Sequence, residues 1–372
     1  MTERSSRTVV VSEQTVRHQI HAVLTSWGTA SDRADLVADV MTDTDLAGID
    51  SHGIAMLPAY ENLLITGDLD VDAVPVVVTE RDAHATIDGQ GGLGHVAAIQ
   101  AVDIAADKAH ERGTGVVAVR NSHHFGAVGH YVARAARRGL ICLASSTTRI
   151  VAVVPSRGAV PRLGTNPLAF AAPTGAGWPL VLDMSTSTVA SNKVRAYALR
   201  DTPLPVGWVR DGAGRAIVDA SAARTQITSQ SHGGLTPLGG TESMSDHKGY
   251  GLGIMVQILS ATLCGAAFAP LRDSGATDDI GHFFLALDPS AFRQDGGFVR
   301  DLDALVDVLH STPPTDPSRP VLVPGEPEEM TRRERRASGI PLPSTLIDEI
   351  EAICRRHHAP FVLADTASPR SS

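Results

Sequence analysis

The run Gly89-Gln90-Gly91-Gly92-Leu93-Gly94 follows a predicted strand and opens a predicted helix, and its reading decides the fold. It fits G-x-G-x-x-G, in which glycines let a pyrophosphate approach a helix N-terminus. That fingerprint also asks for an acidic residue at the end of the next strand, where this chain has Arg120 and Asn121. An arginine there would suit a 2′-phosphate. The competing reading is a tight turn feeding a packed helix, with no ligand involved.

Working outward, VPVVVTERDAHATIDG upstream reads as two strands around a polar turn. Downstream come a helix through Arg112, a strand ending at Val119, a helix to Arg138 stopped by Gly139, and the strand LICLASS. LAFAAP and PLVLDMS read as a hairpin around Gly175 and Gly177. A Gly- and Ser-rich loop over 228–247 leads into the apolar run Gly251–Pro270, and HFFLALD forms a late strand. The middle is therefore mixed α and β around a sheet.

Both ends are helical. Ser12, Ser31 and Ser51 suit N-caps of three successive helices. Near the C-terminus, Asp301–Leu309 and a helix capped by Ser344 follow the same pattern, with a proline-rich connection over 313–327 between them. The expected division is a helical part over 1–72, an α/β part over 73–290, a second helical part over 291–365 and a disordered tail over 366–372.

Of 372 residues, 43% are hydrophobic and 20% charged, an ordinary globular composition with a net charge of −9. No basic block appears, so nucleic acid and anionic membranes are poor partners. Three widely spaced cysteines fit reduced thiols better than a disulfide frame. The start MTERSSRTVVV has no signal-peptide pattern. Gly251–Pro270 approaches membrane-span length, but Gln257, Ser260, Thr262 and many small residues suit a helix buried in a soluble fold or at a subunit interface. A soluble, cytoplasmic protein is expected.

Candidate chemistry begins at Asp45–Tyr60, DLAGIDSHGIAMLPAY. With Ser51 as a cap, His52 takes the first helical position, where the helix dipole disfavours imidazolium and lowers its pKa. The alternative is a plain cap. Asn121-Ser122-His123-His124-Phe125-Gly126 lies at a strand end before a helix, where ligand groups gather in open α/β sheets. Adjacent histidines diverge, so one at most faces a site. Asp183 ends the apolar run PLVLD and needs a buried partner, for which a histidine is natural and a helix cap the alternative. Lys248, ahead of the apolar helix, suits phosphate or plain solvent. His52, His123, His124, Asp183, His247 and His282 lack metal-ligand spacing, so no metal is expected.

Taken together, the segments resemble the type-2 malate/L-lactate dehydrogenase family, which also includes ureidoglycolate and sulfolactate dehydrogenases and cyclic-imine reductases. The resemblance rests on D-x-x-G-x-x-S-H-G at Asp45–Gly53, N-S-x-H-F-G at Asn121–Gly126, L-G-T-N-P at Leu163–Pro167 and D-M-S at Asp183–Ser185. It continues through N-K-V at Asn192–Val194, K-G-Y-G-L at Lys248–Leu252, G-H-F-F at Gly281–Phe284 and P-G-E at Pro324–Glu326.

The resemblance implies an α/β (α+β) non-Rossmann NAD(P)-binding fold, in which a helical domain from both termini packs on an inserted mixed-sheet domain. It also implies a homodimer. It displaces the fingerprint reading of Gly89–Gly94. It implies hydride transfer between NAD or NADP (NAD first) and a small 2-oxo or 2-hydroxy acid, or the imine of a cyclic amino acid. Ser51 and His52 match the Ser-His pair with the histidine as proton donor, His124 the acid–base residue assigned in some members, and Asp183 the relay aspartate. Asp183, Met184, Ser185, Thr186, Ser187, His247, Lys248, Gly325 and Glu326 match the cofactor segments, and Met56, Asn121 and Thr165 fall at substrate positions. The family often carries arginine where this chain has Met56. A substrate carboxylate then needs another cation, with Arg149, Arg157 and Arg162 as candidates. A metal-dependent hydrolase or lyase and a non-catalytic binding protein are the rival classes.

Overall fold

The computed structural model describes residues 8–273 and 277–363, and the tail expected over 366–372 lies outside them. The chain opens with β1 (Thr8–Val11), α1 (Glu13–Ser26), α2 (Ser31–Leu46) and, after a short 3-10 turn over Ile54–Met56, α3 (Leu57–Thr66). Ser12 caps α1 as expected, its hydroxyl accepting from Thr15 N at 3.1 Å. Ser31 does not cap α2; it is the first helical residue, and Ala30 precedes it.

The sheet section follows: β2 (Val76–Glu80), β3 (His84–Gly92), α4 (Gly94–Arg112), β4 (Thr114–Ser122), α5 (Val128–Ala136), β5 (Ile141–Ser146), β6 (Leu168–Ala172) and β7 (Leu180–Met184). A small lobe holds α6 (Ser191–Leu199), β8 (Val209–Arg210), α7 (Ala220–Ser229) and β9 (Gly234–Leu235). Then come α8 (Asp246–Gln257), β10 (Ile280–Leu287), α9 (Pro289–Phe292), α10 (Phe298–His310), α11 (Glu326–Ser338), β11 (Ile340–Pro343) and α12 (Ser344–His357).

Seven strands form the main sheet in the order β2-β3-β4-β10-β5-β6-β7. Only β3 and β4 run parallel; every other neighbour is antiparallel. This mixed sheet is not a doubly wound parallel one. Both expected hairpins, β2–β3 and β6–β7, are present. Its covered face packs alanine-rich α4 and α5, through Ala98, Val102, Tyr131 and Val132, onto Ile87, Val117, Val119 and Phe284.

A second core joins the chain ends. Val16, Ile20, Leu24, Val37, Met41, Leu57 and Tyr60 pack with Ile340, Leu342, Ile350 and Ile353, and β1 pairs antiparallel with β11. A third cluster (Val153, Leu163, Val194, Val209, Ile227 and Leu235) closes the small lobe.

The glycine run packs rather than cradles. Gly94 opens α4 against the loop after β4: its N–H donates to His124 O at 3.2 Å, and an added Cβ would lie 2.9 Å from Phe125 Cβ and 3.0 Å from His124 O, closer still to His123 O. Only a residue without a side chain lets that loop settle there.

The apolar run differs from expectation in part. It is helical as α8, which widens into a π turn over Ile258–Thr262, and it buries Val256, Ser260 and Ala261 while its other side stays open in the single chain. Ile258 is 52% and Leu263 61% exposed, leaving an uncovered apolar row. No helix among the described residues is long and apolar enough to cross a membrane.

Candidate active site

Two turns and one strand end build the site. The first turn is Ser51-His52-Gly53. Contrary to the capping expectation, α3 begins only at Leu57, and the Ser51 hydroxyl lies 2.7 Å from His52 Nδ1 instead of on a helix N–H. The turn is held from behind by Asp45, whose Oδ2 accepts from Ile54 N at 2.8 Å. His52 still has a lowered pKa, but burial depresses it, not a helix dipole.

The second turn follows β4. It brings His124 to His52, with ring centroids 5.3 Å apart. His124 Nδ1 accepts from Gly126 N at 3.3 Å, and the Tyr60 hydroxyl sits 2.7 Å from the same nitrogen. A nitrogen already accepting from a backbone N–H carries no proton, so the neutral ring is protonated at Nε2 and Tyr60 donates. Burial, then the neighbouring His52, His95 and His282, hold the His124 pKa well below the usual range. His95 is buried against the Tyr60 ring edge, its pKa pushed down to about 3 mainly by burial.

The adjacent His123 diverges into the interior beside Asp278 at 4.0 Å, so one histidine of the pair faces the site, as expected. His282 is a core residue, stacked on Phe125 at 4.2 Å between the hydroxyls of Ser146 and Ser122.

Asp183 lies near the end of β7, in a recess that solvent reaches. Its partner is not a histidine: Oδ2 accepts from Gly129 N at 2.7 Å, at the start of α5. The surrounding protein mass raises its pKa to about 6, with Glu328 contributing. The loop between β4 and α5 thus carries His124 and touches the His52 backbone at Gly126, and the first turn of α5 holds Asp183 at Gly129.

Past β7, Met184 and Ser185 are half-buried, Thr186 N and Oγ1 both donate to Thr165 O, and the Ser187 hydroxyl donates to Val189 O. His247 and Lys248 are exposed on the first turn of α8, which packs on Thr186 at Gly253. Gly325 starts α11 against the β7 backbone, where Val181 N donates to Pro324 O at 3.2 Å. Glu326 is not free for a ligand: its carboxylate accepts from Val323 N and pairs with His310 at 2.9 Å. β7 is the edge strand of the main sheet, and Lys248 puts an exposed cation on the first turn of α8. Edge amides and a cation of this kind fit a nicotinamide dinucleotide.

The substrate positions fare unequally. Met56 packs against the helical core. Asn121 is turned to structure: at φ +51° its amide donates to Asp88 Oδ1 at 2.8 Å and its N–H to Asp279. Arg157 pairs with Glu242 at the surface. Arg149, bridged to Asp278 at 2.8 Å, and Arg162 line a shallow depression with Thr147 and Arg272, beside the ends of β5 and β10. Tyr60 and Gly129 were missed by sequence reasoning, and Asp45 was matched as the first residue of D-x-x-G-x-x-S-H-G with no role of its own. Tyr60 falls on the apolar face with Leu57 and Leu64, and nothing local marks Gly129.

A histidine pair beside a nucleotide-compatible sheet edge defines an oxidoreductase-type site, and the comparisons say which. A family model described as malate/L-lactate dehydrogenase matches residues 11–351, and the chain belongs to this oxidoreductase family. It is 34% identical over 337 residues to malate dehydrogenase of Pyrococcus abyssi, covering 90% of this chain and 91% of that one. It is 34% identical over 336 residues to the NADP(+) (2R)-3-sulfolactate dehydrogenase of Chromohalobacter salexigens, covering 89% and 94%. Malate dehydrogenase of Entamoeba histolytica superposes with TM-score 0.90 at 30% identity, covering 95% and 99%. The delta1-piperideine-2-carboxylate reductase of Pseudomonas syringae superposes with TM-score 0.80 at 29% identity, covering 92% and 99%.

Proposed function

We propose that this family dehydrogenase interconverts a small 2-hydroxy acid and its 2-oxo acid, with His52 exchanging the proton. The observation that carries the reading is the His52–His124 pair, at 5.3 Å between rings, where the Ser51 turn meets the loop leading into α5, whose first turn anchors Asp183. Bound nicotinamide, NAD or NADP, supplies or takes the hydride. The sheet edge at Asp183–Ser187, with Lys248 and the Gly325 turn, would hold it.

The two histidines take different parts. His124, the more strongly depressed, stays neutral and points an Nε2–H donor at the carbonyl oxygen, where charge grows. His52, less depressed and touching Ser51, gives or takes the proton. Asp183, raised to about 6, is still ionised at neutral pH and adds negative charge at the sheet edge. Arg149 or Arg162 supplies the cation that Met56 does not. His52→Ala is expected to lose turnover while NADH and NADPH, titrated in parallel by fluorescence, still bind. Undiminished turnover overturns the assignment, and no binding of either nucleotide by folded wild type overturns the reading.

One observation favours a second reading. Met56 puts an apolar side chain, packed on the helical core, where the family often carries arginine, and the loss of that cation suits a cyclic imine, the substrate type named for the Pseudomonas structure. Rates on imine and 2-oxo acid substrates separate the two. The uncovered row of Ile254, Ile258 and Leu263 supports a homodimer, tested by light scattering. Three buried, unpaired cysteines support a cytoplasmic location.

A further inference from the structure

We propose that Asp45 is the positioning residue of the Ser51–His52 turn, acting as a neutral carboxylic acid wedged behind it. The proposal rests on the reading above that His52 works in this site.

Asp45 is 1% exposed and sits in the last turn of α2, where the helix dipole is unfavourable to an anion. Its carboxyl reaches across to the peptide after His52, accepting from Ile54 N at 2.8 Å. Gly53 lies flat on it: a Cβ at that position would fall inside the carboxyl group. The wedge and the missing side chain are thus complementary, and together they set where His52 stands.

No cation pairs directly with the carboxyl among the described residues. The facing charged groups are Asp50 on the turn and Arg335 on α11, and Arg335 spends its guanidinium on the Asp45 backbone O (2.6 Å) and the Asp50 carboxylate. A buried carboxyl without a counter-ion keeps its proton, and burial accordingly pushes its pKa up to about 8. A neutral wedge holds the backbone without placing a negative charge behind His52, so His52 stays deprotonated at rest.

Two variants of the full chain test this. In Asp45→Asn the amide mimics the protonated acid. The folded wild type holds a proton that the unfolded chain releases above about pH 4, so its unfolding constant should rise about tenfold per pH unit through pH 5.5–7.5 relative to Asp45→Asn. Parallel pH dependences by urea unfolding overturn the neutral form. In turnover, Asp45→Asn should stay within about threefold of wild type. Asp45→Ala, which lets the turn shift, should lose roughly 100-fold in kcat with KM and NADH affinity unchanged. Wild-type kcat in Asp45→Ala, or a comparable loss in Asp45→Asn, overturns the positioning role. Should Asp45→Ala not fold, the unfolding and turnover of Asp45→Asn still decide. A wild type without turnover on any oxo acid or imine strikes only the dehydrogenase reading, because the unfolding arm needs no activity.

Discussion

Substituting Gly94 separates the two meanings that a glycine-rich turn can have. In the structure this residue meets the loop bearing His124, and a new Cβ would sit 2.9–3.0 Å from Phe125 Cβ and His124 O. Ordinary contact begins near 3.4 Å. The His123 backbone O lies closer still, so the loop and the start of α4 must together part by more than about 1 Å, at an overpacking cost of about 3 kcal/mol. Displacement of that order moves His124 relative to His52. A misplacement of about 1 Å costs on the order of 100-fold in rate, or about 2.7 kcal/mol of transition-state stabilisation. Gly94→Ala is thus expected to lose 30- to 100-fold in kcat (roughly, by the same reasoning), with NADH affinity within about twofold of wild type. The assay pairs a fluorescence titration with initial rates. Loss of nucleotide affinity with kcat preserved would mean that the run does bind pyrophosphate, and the packing argument would be refuted.

Other variants probe the remaining contacts. Tyr60→Phe removes the donor to His124 Nδ1 and should lower kcat about tenfold, for roughly 1–1.5 kcal/mol of hydrogen bond, with little change in nucleotide affinity; unchanged kcat would show that Gly126 N–H alone sets the tautomer. Asp43 joins half-buried His130 at 2.9 Å and Arg332 at 3.0 Å, and Arg332 also holds Glu329 at 3.2 Å, so Asp43→Ala leaves His130 without its partner and should cost about 1–3 kcal/mol in urea unfolding. A cost under about 1 kcal/mol would class the cluster with exposed ion pairs. Since burial depresses His52 below its ordinary 6.5, alcohol oxidation should fall as pH drops below that value and be flat above it up to pH 8. A limb centred above 7 would assign the proton to another group. Asp183→Asn should remove a fall in stability that wild type shows between pH 4 and 6, because the folded carboxyl, with its pKa raised to about 6, holds a proton the unfolded chain has released. Identical slopes over that window would mean that Asp183 ionises normally.

The fold was legible where local rules act alone. Ser12 caps α1, the polar turn between Glu80 and His84 closes a hairpin, and β-branched runs become strands. Elements held by distant charges were not. Helix α11, EPEEMTRRERRAS, shows no apolar stripe and buries no residue; it is fixed by Arg332 to Asp43 and Arg335 to Asp50, some 285–290 positions away. The Ser51 turn failed for a related reason. A serine before an apolar run reads as a cap, but Asp45 takes the backbone N–H first and delays the helix to Leu57. Tyr60 is a core residue, and only the folded chain brings its hydroxyl to His124, 64 residues on.

Sharing one core between the chain ends also governs how the molecule is made. β1 has no partner until β11 exists, and Val11 pairs with Ile340, roughly 330 residues later. At about 5–20 residues per second, the apolar faces of α1, α2 and α3 wait some 15–65 s during synthesis before their cover arrives. The sheet section, whose strands lie between them in sequence, is complete earlier and folds first as a unit. A nascent chain halted before residue 340 therefore presents Val16, Ile20, Leu24 and Met41 to chaperones and proteases.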